Sequence, residues 1–446
     1  MKIKHDECTI SQDMYYLMER LFPICRSITG DGVRITLNIL KELIPEIAIN
    51  EVPSGTQCFD WTVPDEWNIK DAYIITPTGE KIADFKVSNL HVVNYSEPVD
   101  RSLTLEELNK HLYSLPELPH AIPYVTSYYY RRWGFCLTDQ QRKQLQPGNY
   151  RVYIDSALKA GSLTYGELVI PGETREEIFL STYVCHPSMA NNELSGPVVT
   201  TFLALWLMSL PKRRYTYRIV FIPETIGSIV YLSQHHKELK QNVYAGFNIT
   251  CVGDQQTFSY LPSRQGNTIS DRVARHVLKH IFPNYLEYTF RDRGSDERQY
   301  CSPGIDLPMA SVMRSKYGTY PEYHTSLDNL NFVTPEGLSG SYTALLHCLQ
   351  CLEFNQILHT QCYGEPQLGK RGLYPTIGVR NPQKRLRDMM DVLAYSDGNH
   401  DLLSIAEKIE TPLWELITLV NTLKEHNLLN ENKYHNSTMT VMNEYV

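Results

Sequence analysis

Between residues 165 and 355, short apolar segments alternate with helical segments, and this alternation constrains the fold more than any other feature of the chain. Residues 178–184 and 217–222 are almost continuously apolar, whereas residues 195–210 have the length and periodicity of a helix. Strands without polar alternation are buried on both faces, which is typical of a parallel sheet covered by helices. We therefore predict an α/β fold with a mostly parallel sheet and helices on both faces.

Changes in composition on either side of this segment predict two further domains. Residues 52–130 are rich in Trp, Tyr, Val and Pro and contain short alternating runs, which favours an inserted β-rich domain over a continuation of the main sheet. Residues 381–446 contain three short helical patterns, and residues 438–442 alternate like a strand, so this segment is predicted to be a winged helix. The α/β domain then comprises residues 1–51 and 131–380.

The overall composition argues against several classes of protein. Of the 446 residues, 42% are hydrophobic and 21% are charged, and the formal net charge is −8. Such a chain can bury a large core, whereas its negative charge argues against a nucleic-acid or membrane partner. The amino terminus lacks the apolar stretch of a signal peptide, no apolar run is long enough to span a bilayer, and the ten cysteines are scattered. We therefore expect a cytoplasmic protein with reduced cysteines.

Polar residues follow the predicted strands, at the sheet edge where open α/β sheets bind their ligands. His186 follows one strand, Glu224 follows the next, and His324 precedes the last long helix. Neutral imidazoles can bind zinc, and a glutamate beside them can take a proton from water and pass it to a leaving amine. The set therefore predicts metal-assisted hydrolysis with Glu224 as the general base.

The order and spacing of these residues resemble the zinc-aminopeptidase superfamily, which also contains the glutaminyl cyclases. Residues 26–30 and 294–304 fit its pattern as well. The phrases Phe-Asp-Trp-Thr-Val-Pro at residues 59–64 and Gly-Glu-Pro-Gln-Leu-Gly at residues 364–369 are similar to a bacterial aminopeptidase-like family. That family has an inserted β-rich domain and a carboxyl-terminal winged helix. The resemblance covers almost the whole chain and implies a zinc-aminopeptidase-like α/β domain.

The resemblance assigns roles to individual positions. His186 and His324 match its two metal-binding histidines, and Glu224 matches its general base. The expected substrate is a small peptide, an aminoacyl compound or an amino sugar. The candidates for substrate contacts are Asp254, Asp296, Glu297 and Tyr323. Asp296 and Glu297 have an alternative interpretation, in which they pair with neighbouring arginines in a solvated cluster.

The chain departs from the family pattern at several metal-binding positions. Asn192, Thr225 and Thr250 stand where the family has acidic residues that help to hold two zinc ions. Since these carboxylates would offset the charge of the ions, we expect one zinc ion, bound by the two histidines and one more residue. The alignment favours Asn192 as that residue, and charge favours Glu193.

Other functions remain open at this point. The missing carboxylates suggest a degenerate hydrolase that binds a peptide or glycan without cleaving it. A winged helix can also belong to a regulator that binds nucleic acid, but the third predicted helix has Lys424 beside Glu415 and Glu425, which argues against DNA binding. Inserted domains pair subunits in related folds, so a homo-oligomer is also open.

Overall fold

The structure, a computed structural model, describes residues 7–374 and 382–431. The predicted strand at residues 438–442 lies outside the described residues. The chain divides into two units, the first formed by the described residues of Met1–Arg272 and Asn284–Thr343, the second by those of Val273–Pro283 and Ala344–Val446.

A mixed eight-stranded sheet forms the centre of the first unit. Its strand Glu177–Tyr183 is wholly buried and pairs in parallel with a strand on each side, which explains its continuous apolar sequence. Antiparallel pairings then join the flanking strands. The predicted α/β class is confirmed. The strands in spatial order are Ala48–Pro53, Ser162–Ile170, Thr216–Ile222, Glu177–Tyr183, Val243–Asn248, Met309–Met313, Ser259–Leu261 and Leu286–Glu287.

Helices connect these strands. The helix Ser195–Ser209 is apolar almost all round, as expected of a buried helix, and it directly follows a short π-helix at Ala190–Leu194. The other α-helices of this unit are Glu7–Leu21, Asp31–Leu43, Leu105–Leu108, Asp139–Lys143, Ile226–Asn242 and Glu297–Tyr300. Short 3₁₀ turns lie at Asn89–His91, Asn109–His111 and Phe290–Asp292. The helices Ile269–Ile281 and Pro335–Phe354 have residues in both units.

The β-rich segment forms a second, four-stranded antiparallel sheet around its own apolar core. Its strands in spatial order are Lys81–Ile82, Glu66–Ile75, Asn149–Lys159 and Val99–Thr104. Since Glu66–Ile75 pairs along most of its length with Asn149–Lys159, this sheet includes a strand beyond residue 130, the predicted end of the inserted domain. Smaller pairings join Gln57–Cys58 to Trp61–Thr62 and Leu112–Tyr113 to Phe135–Cys136.

The second unit contains the winged helix. Its helices are Pro382–Tyr395, Leu402–Lys408 and Leu413–Glu425, with a 3₁₀ turn at Gly369–Arg371. Its sheet has the order Asp397–Asp401, Ile357–Thr360, Leu429–Glu431. Because Ile357–Thr360 is the central strand, the winged helix includes residues ahead of the predicted boundary at residue 381.

Two further expectations concern cysteines and membranes. All nine cysteines whose side chains the structure describes are free thiols. Among the described helices, none combines the length and the apolar character that a bilayer span requires.

A buried arginine of the main sheet pairs with two carboxylates of neighbouring strands and one of the helix Ile226–Asn242. Arg218, on the strand Thr216–Ile222, pairs with Glu177 at 2.6 Å, Glu167 at 2.8 Å and Glu238 at 2.9 Å. Its side chain is only 8% exposed, and that of Glu177 is 5% exposed. Removal of the arginine would leave Glu177 buried without a counter-charge.

We therefore expect Arg218→Met to lower the free energy of unfolding by roughly 3–5 kcal/mol. The matched control is Arg151→Met, because the pair of Arg151 with Asp100 is exposed on the four-stranded sheet and should matter little. Urea unfolding followed by circular dichroism measures both variants. Small and equal decreases in the free energy of unfolding of the two variants would contradict the role assigned to Arg218.

Candidate active site

Two histidines from distant parts of the chain meet in the first unit. His186 follows the strand Glu177–Tyr183, His324 precedes the helix Pro335–Phe354, and their ring centroids are 5.3 Å apart. Burial lowers the pKa of each imidazole to about 3, an effect strengthened by Arg26 at His186 and by His186 at His324. Both rings are therefore neutral near pH 7, which is the form that binds a metal ion.

Two tyrosines contact the histidine rings. Tyr323 stacks on His324 with 3.9 Å between centroids, and Tyr124 contacts both His186 and His324 with centroid distances of 5.2 Å. The backbone N–H of Tyr124 also donates to the carbonyl of His324 at 2.8 Å. Tyr124 comes from the segment predicted as an inserted domain, so that segment supplies part of the site. The sequence analysis missed this residue, because nothing in its neighbourhood distinguishes it from other tyrosines of a β-rich core.

A buried chain of polar contacts fixes the orientation of His186. Nδ1 of His186 lies 2.7 Å from Oε2 of Glu193, and Oε1 of Glu193 lies 3.7 Å from Nε of Arg26. Nε of Arg26 also donates to the carbonyl of His186 at 3.0 Å. Since Nδ1 is engaged with Glu193, Nε2 is the nitrogen left free to bind a ligand. Arg26 belongs to the motif at residues 26–30, to which the sequence analysis gave no role.

Glu224 lies on the side of this free nitrogen. Its Oε2 is 3.7 Å from Nε2 of His186, and its Oε1 accepts a hydrogen bond of 2.7 Å from Oγ of Ser295. Its side chain is 19% exposed and therefore reaches the solvent. Burial, together with the negative charge of Asp296, raises the pKa of Glu224 to about 8. A carboxylate with such a pKa can take up and release a proton near neutral pH, as a general base must.

The backbone is strained directly after Glu224. Thr225 has φ 64° and ψ −72°, and the N–H of Ile226 donates to the carbonyl of Glu224 at 2.8 Å, which closes a γ-turn of the rare positive-φ type. Asp296 stabilises this turn, because its Oδ1 accepts from Thr225 N at 2.7 Å and from Ser228 Oγ at 2.8 Å. The carboxylate of Glu224 bonds to Ser295 and does not cap the helix Ile226–Asn242.

Positions that would be acidic in the resembling family instead form a neutral hydrogen-bonded cluster. The hydroxyl of Tyr183 lies 2.7 Å from Nδ2 of Asn192 and 2.5 Å from Oγ1 of Thr250. Thr250 in turn donates to the backbone carbonyl of Asn192 at 3.0 Å. These three side chains are linked by hydrogen bonds and carry no charge, so this part of the site does not offset a second dication. The sequence predicted the missing charges but not that Tyr183 would join the remaining residues.

Among the buried atoms at the site that lack a hydrogen-bond partner within the described residues, two are potential metal ligands on the side of the histidines. They are Nε2 of His324 and Oδ1 of Asn192. Buried polar atoms without partners are energetically costly and often mark a functional site. Imidazole nitrogens suit zinc, and an amide oxygen is a weaker oxygen ligand, so these atoms and Nε2 of His186 are suited to one zinc ion.

A second set of potential ligands surrounds the other nitrogen of His186. Ligand atoms of Cys185, His186 and Glu193 lie within 4.8 Å of one another. The guanidinium of Arg26 lies beside this set, and its charge repels a dication. Burial also raises the pKa of the Cys185 thiol well above its ordinary value, which disfavours the thiolate that zinc requires. This set is therefore a poor metal site.

The acidic residues predicted to contact substrate are buried in hydrogen-bond networks. Asp254 accepts from Nδ2 of Asn191 at 3.0 Å and from Oγ of Ser315 at 2.9 Å. Glu297 accepts from the hydroxyl of Tyr317 at 2.6 Å and from Nδ2 of Asn248 at 3.1 Å. Through these hydrogen bonds, the carboxylates of Asp254 and Glu297 each connect separate segments of the chain.

Asp296 and Tyr323 lie closer to the histidines and Glu224. Asp296 is fully buried beside Glu224, and its Oδ2 has no hydrogen-bond partner among the described residues. Tyr323, stacked on His324, lines the site directly. The interpretation of Asp296 and Glu297 as a solvated arginine cluster is wrong, because both are 0% exposed.

The γ-turn predicts an unusual order of stability at Thr225. Alanine would retain the positive φ, whereas glycine adopts it without strain, so Thr225→Gly should be more stable than Thr225→Ala by about 1 kcal/mol. At positions with a negative φ, the alanine variant is expected to be more stable than the glycine variant. Thermal unfolding of both variants measures the difference, and a more stable alanine variant would contradict the strained turn.

Comparisons with known proteins agree with this geometry. Residues 15–355 match the family described as a domain of unknown function, DUF4910, and residues 355–431 match the winged helix-turn-helix family. A Clostridium acetobutylicum protein named "Putative polysaccharide biosynthesis protein with aminopeptidase-like domain" is 49% identical over 401 residues, which cover 89% of this chain and 91% of that protein.

Solved structures extend the comparison. The crystal structure of a "putative peptidase" from Clostridium acetobutylicum has a TM-score of 0.89 and 45% identity, covering 96% of this chain and 97% of that one. A zinc aminopeptidase from Bacillus subtilis has a TM-score of 0.55 and 12% identity, covering 79% of this chain and 96% of that one. At that identity the likeness shows the fold alone.

Proposed function

The chain belongs to the family described as a domain of unknown function, DUF4910, and we propose that it is a zinc-dependent hydrolase of amide bonds. The observation that carries the proposal is the meeting of His186 and His324, with ring centroids 5.3 Å apart, beside a glutamate with a raised pKa. Both imidazoles are neutral, and Oε2 of Glu224 lies 3.7 Å from the free nitrogen of His186. This is the arrangement that metal-assisted hydrolysis needs.

The residues of the chain have separate roles in this proposal. Nε2 of His186 and Nε2 of His324 would hold the metal, with Asn192 Oδ1 as the candidate third ligand. Glu193 bonds to Nδ1 of His186 and so leaves Nε2 of that histidine free for the metal. A bound zinc ion would supply Lewis-acid chemistry, which polarises a carbonyl and makes water more acidic.

Glu224 moves the proton in this reaction. Water adds to the carbonyl carbon of the amide, the C–N bond breaks, and Glu224 carries a proton from the water to the nitrogen of the leaving amine. Ser295 holds Oε1 of Glu224 at 2.7 Å, which leaves Oε2 for this transfer.

We propose one metal ion in this site. The neutral cluster of Tyr183, Asn192 and Thr250 supports this number, because it has no charge to offset a second dication. We also propose a small peptide or an amino-sugar derivative as the substrate class. The names of the relatives, which mention a peptidase in one case and polysaccharide biosynthesis in the other, support this class.

Zinc content and activity test the proposal together. Purified protein should contain about one zinc ion per chain, and His324→Ala should lose most of it, because the ion would lose one of its imidazoles. Glu224→Gln should retain the zinc yet hydrolyse amide substrates about 10²–10⁴-fold more slowly. Elemental analysis and a screen of acylamino and aminoacyl substrates provide the measurements.

The outcome also separates the hydrolase from a degenerate binding protein. Bound zinc without hydrolysis of any substrate in the screen would favour a protein that binds a peptide or glycan without cleaving it. Native protein that takes up no zinc would contradict both the ion and the reaction.

The third helix of the winged helix is poorly suited to reading nucleic acid. This helix, Leu413–Glu425, exposes Glu415, Thr418, Asn421 and Glu425. A DNA-reading helix presents basic side chains, so we propose that this domain has a packing or protein-binding role. We expect no shift of duplex DNA in a gel at low salt, where phosphate contacts are strongest. A shift that weakens steeply as salt increases would contradict this expectation.

A further inference from the structure

An exposed arginine lies beside the turn that carries Glu224. Arg298 is on the short helix Glu297–Tyr300, and its Nη2 donates to Oγ1 of Thr225 at 2.7 Å. Three residues earlier, Ser295 donates to Glu224 itself. These two contacts fix the guanidinium next to the general base, on the side of the site that is open to solvent.

The other charges close to Glu224 are not accessible. The strongest charges acting on its carboxyl group are those of Asp296, Arg298 and Glu193. Asp296 and Glu193 are 0% exposed, whereas Arg298 is exposed. The charge of Arg298 also acts on Tyr323, which stacks on His324. Arg298 therefore lies near both halves of the site.

Arg298 is not neutralised by an ion pair. Within the part of the chain that the structure describes, no carboxylate oxygen lies within 4.0 Å of its guanidinium, and its side chain has one hydrogen bond, to Thr225. Arg264, another exposed arginine of this unit, is by contrast paired with Asp306 at 2.6 Å. The remaining N–H groups of Arg298 are thus available to a ligand.

A substrate ammonium group would have to reach buried acceptors. Apart from Glu224, the acids that act on the site are Glu193, which bonds to His186, and Asp296, which bonds through Oδ1 to Thr225 and Ser228. Their remaining oxygens, Oε1 of Glu193 and Oδ2 of Asp296, are buried, whereas Arg298 is exposed. A free amino group next to the scissile bond would also be repelled by Arg298.

We propose that the substrate has a carboxylate close to the scissile amide bond and that Arg298 binds it. This inference rests on the proposed function and narrows its substrate to compounds such as N-acyl amino acids or peptides cleaved next to their free carboxyl end. A planar guanidinium with one edge free suits the two oxygens of a carboxylate. Hydrolysis would then release an acid and an amino acid, with the proton from water on the new amine.

Calorimetric binding tests this proposal without turnover. The protein is the zinc-loaded full chain with Glu224→Gln, and the probes are the N-acetyl derivatives of glycine, leucine and glutamate. Each probe is compared with its C-terminal amide, and leucinamide and inorganic phosphate are included. We expect at least one free acid to bind about tenfold or more tightly than its amide, as one charge-assisted contact implies.

Substitution of the arginine identifies the residue responsible. Arg298→Gln should abolish the preference for the acid, whereas the control Arg293→Gln should retain it. Arg293 is also exposed and lies in the same segment, but its guanidinium donates to the carbonyl of Phe290. The inference is overturned if acids and amides bind equally, if neither binds, if only leucinamide or phosphate binds, or if Arg298→Gln retains the preference.

Failure of this inference is distinguishable from failure of the proposed function. A preference for the acid without hydrolysis in the unsubstituted protein would uphold the role of Arg298 and contradict the hydrolase. Zinc-dependent hydrolysis of aminoacyl amides without any preference for acids would uphold the hydrolase and contradict the role of Arg298.

Discussion

The site depends on a buried contact between Arg26 and Glu193. Arg26 is fully buried, and it bonds to the carbonyls of Leu21 and His186, so it ties the amino-terminal helix to the loop that carries the first histidine. Glu193 completes the contact through its hydrogen bond with Nδ1 of His186 at 2.7 Å. A buried ion pair contributes little net stability, because removing both charges from water costs free energy. The contact matters here because it orients the ring of His186 and so determines which of its nitrogens faces Glu224.

The rest of the site follows from this orientation. Once Nε2 is the free nitrogen, Glu224 lies 3.7 Å from it and the ring of His324 lies 5.3 Å from that of His186. The strained turn at Thr225 and the hydrogen bond from Ser295 hold Glu224 there. On the far side, the hydroxyl of Tyr183 closes a neutral cluster. This cluster therefore lacks the negative charge that would offset a second metal ion.

The sequence predicted the framework of the fold and less of the site. Continuous apolar strands identified the α/β sheet, and the spacing around His186, Glu224 and His324 brought these residues together, because strand ends of one sheet share an edge. Local composition does not reveal long-range pairing: the strand Asn149–Lys159 pairs with Glu66–Ile75 of the segment whose predicted boundary is residue 130, and that boundary stays a prediction. The contacts of Tyr124 with the two histidines and of Arg26 with Glu193 were not predicted either. Contacts between residues that are far apart in the sequence leave no local pattern.

The central claim is that one cation lies between Nε2 of His186 and Nε2 of His324. An anomalous difference map from crystals grown with zinc, recorded on both sides of the zinc absorption edge, tests it most directly. The account predicts a single peak within bonding distance of both nitrogens, with Oε2 of Glu224 facing it. A peak on the Cys185 side of His186, two peaks within the site, or none at full zinc saturation would contradict it.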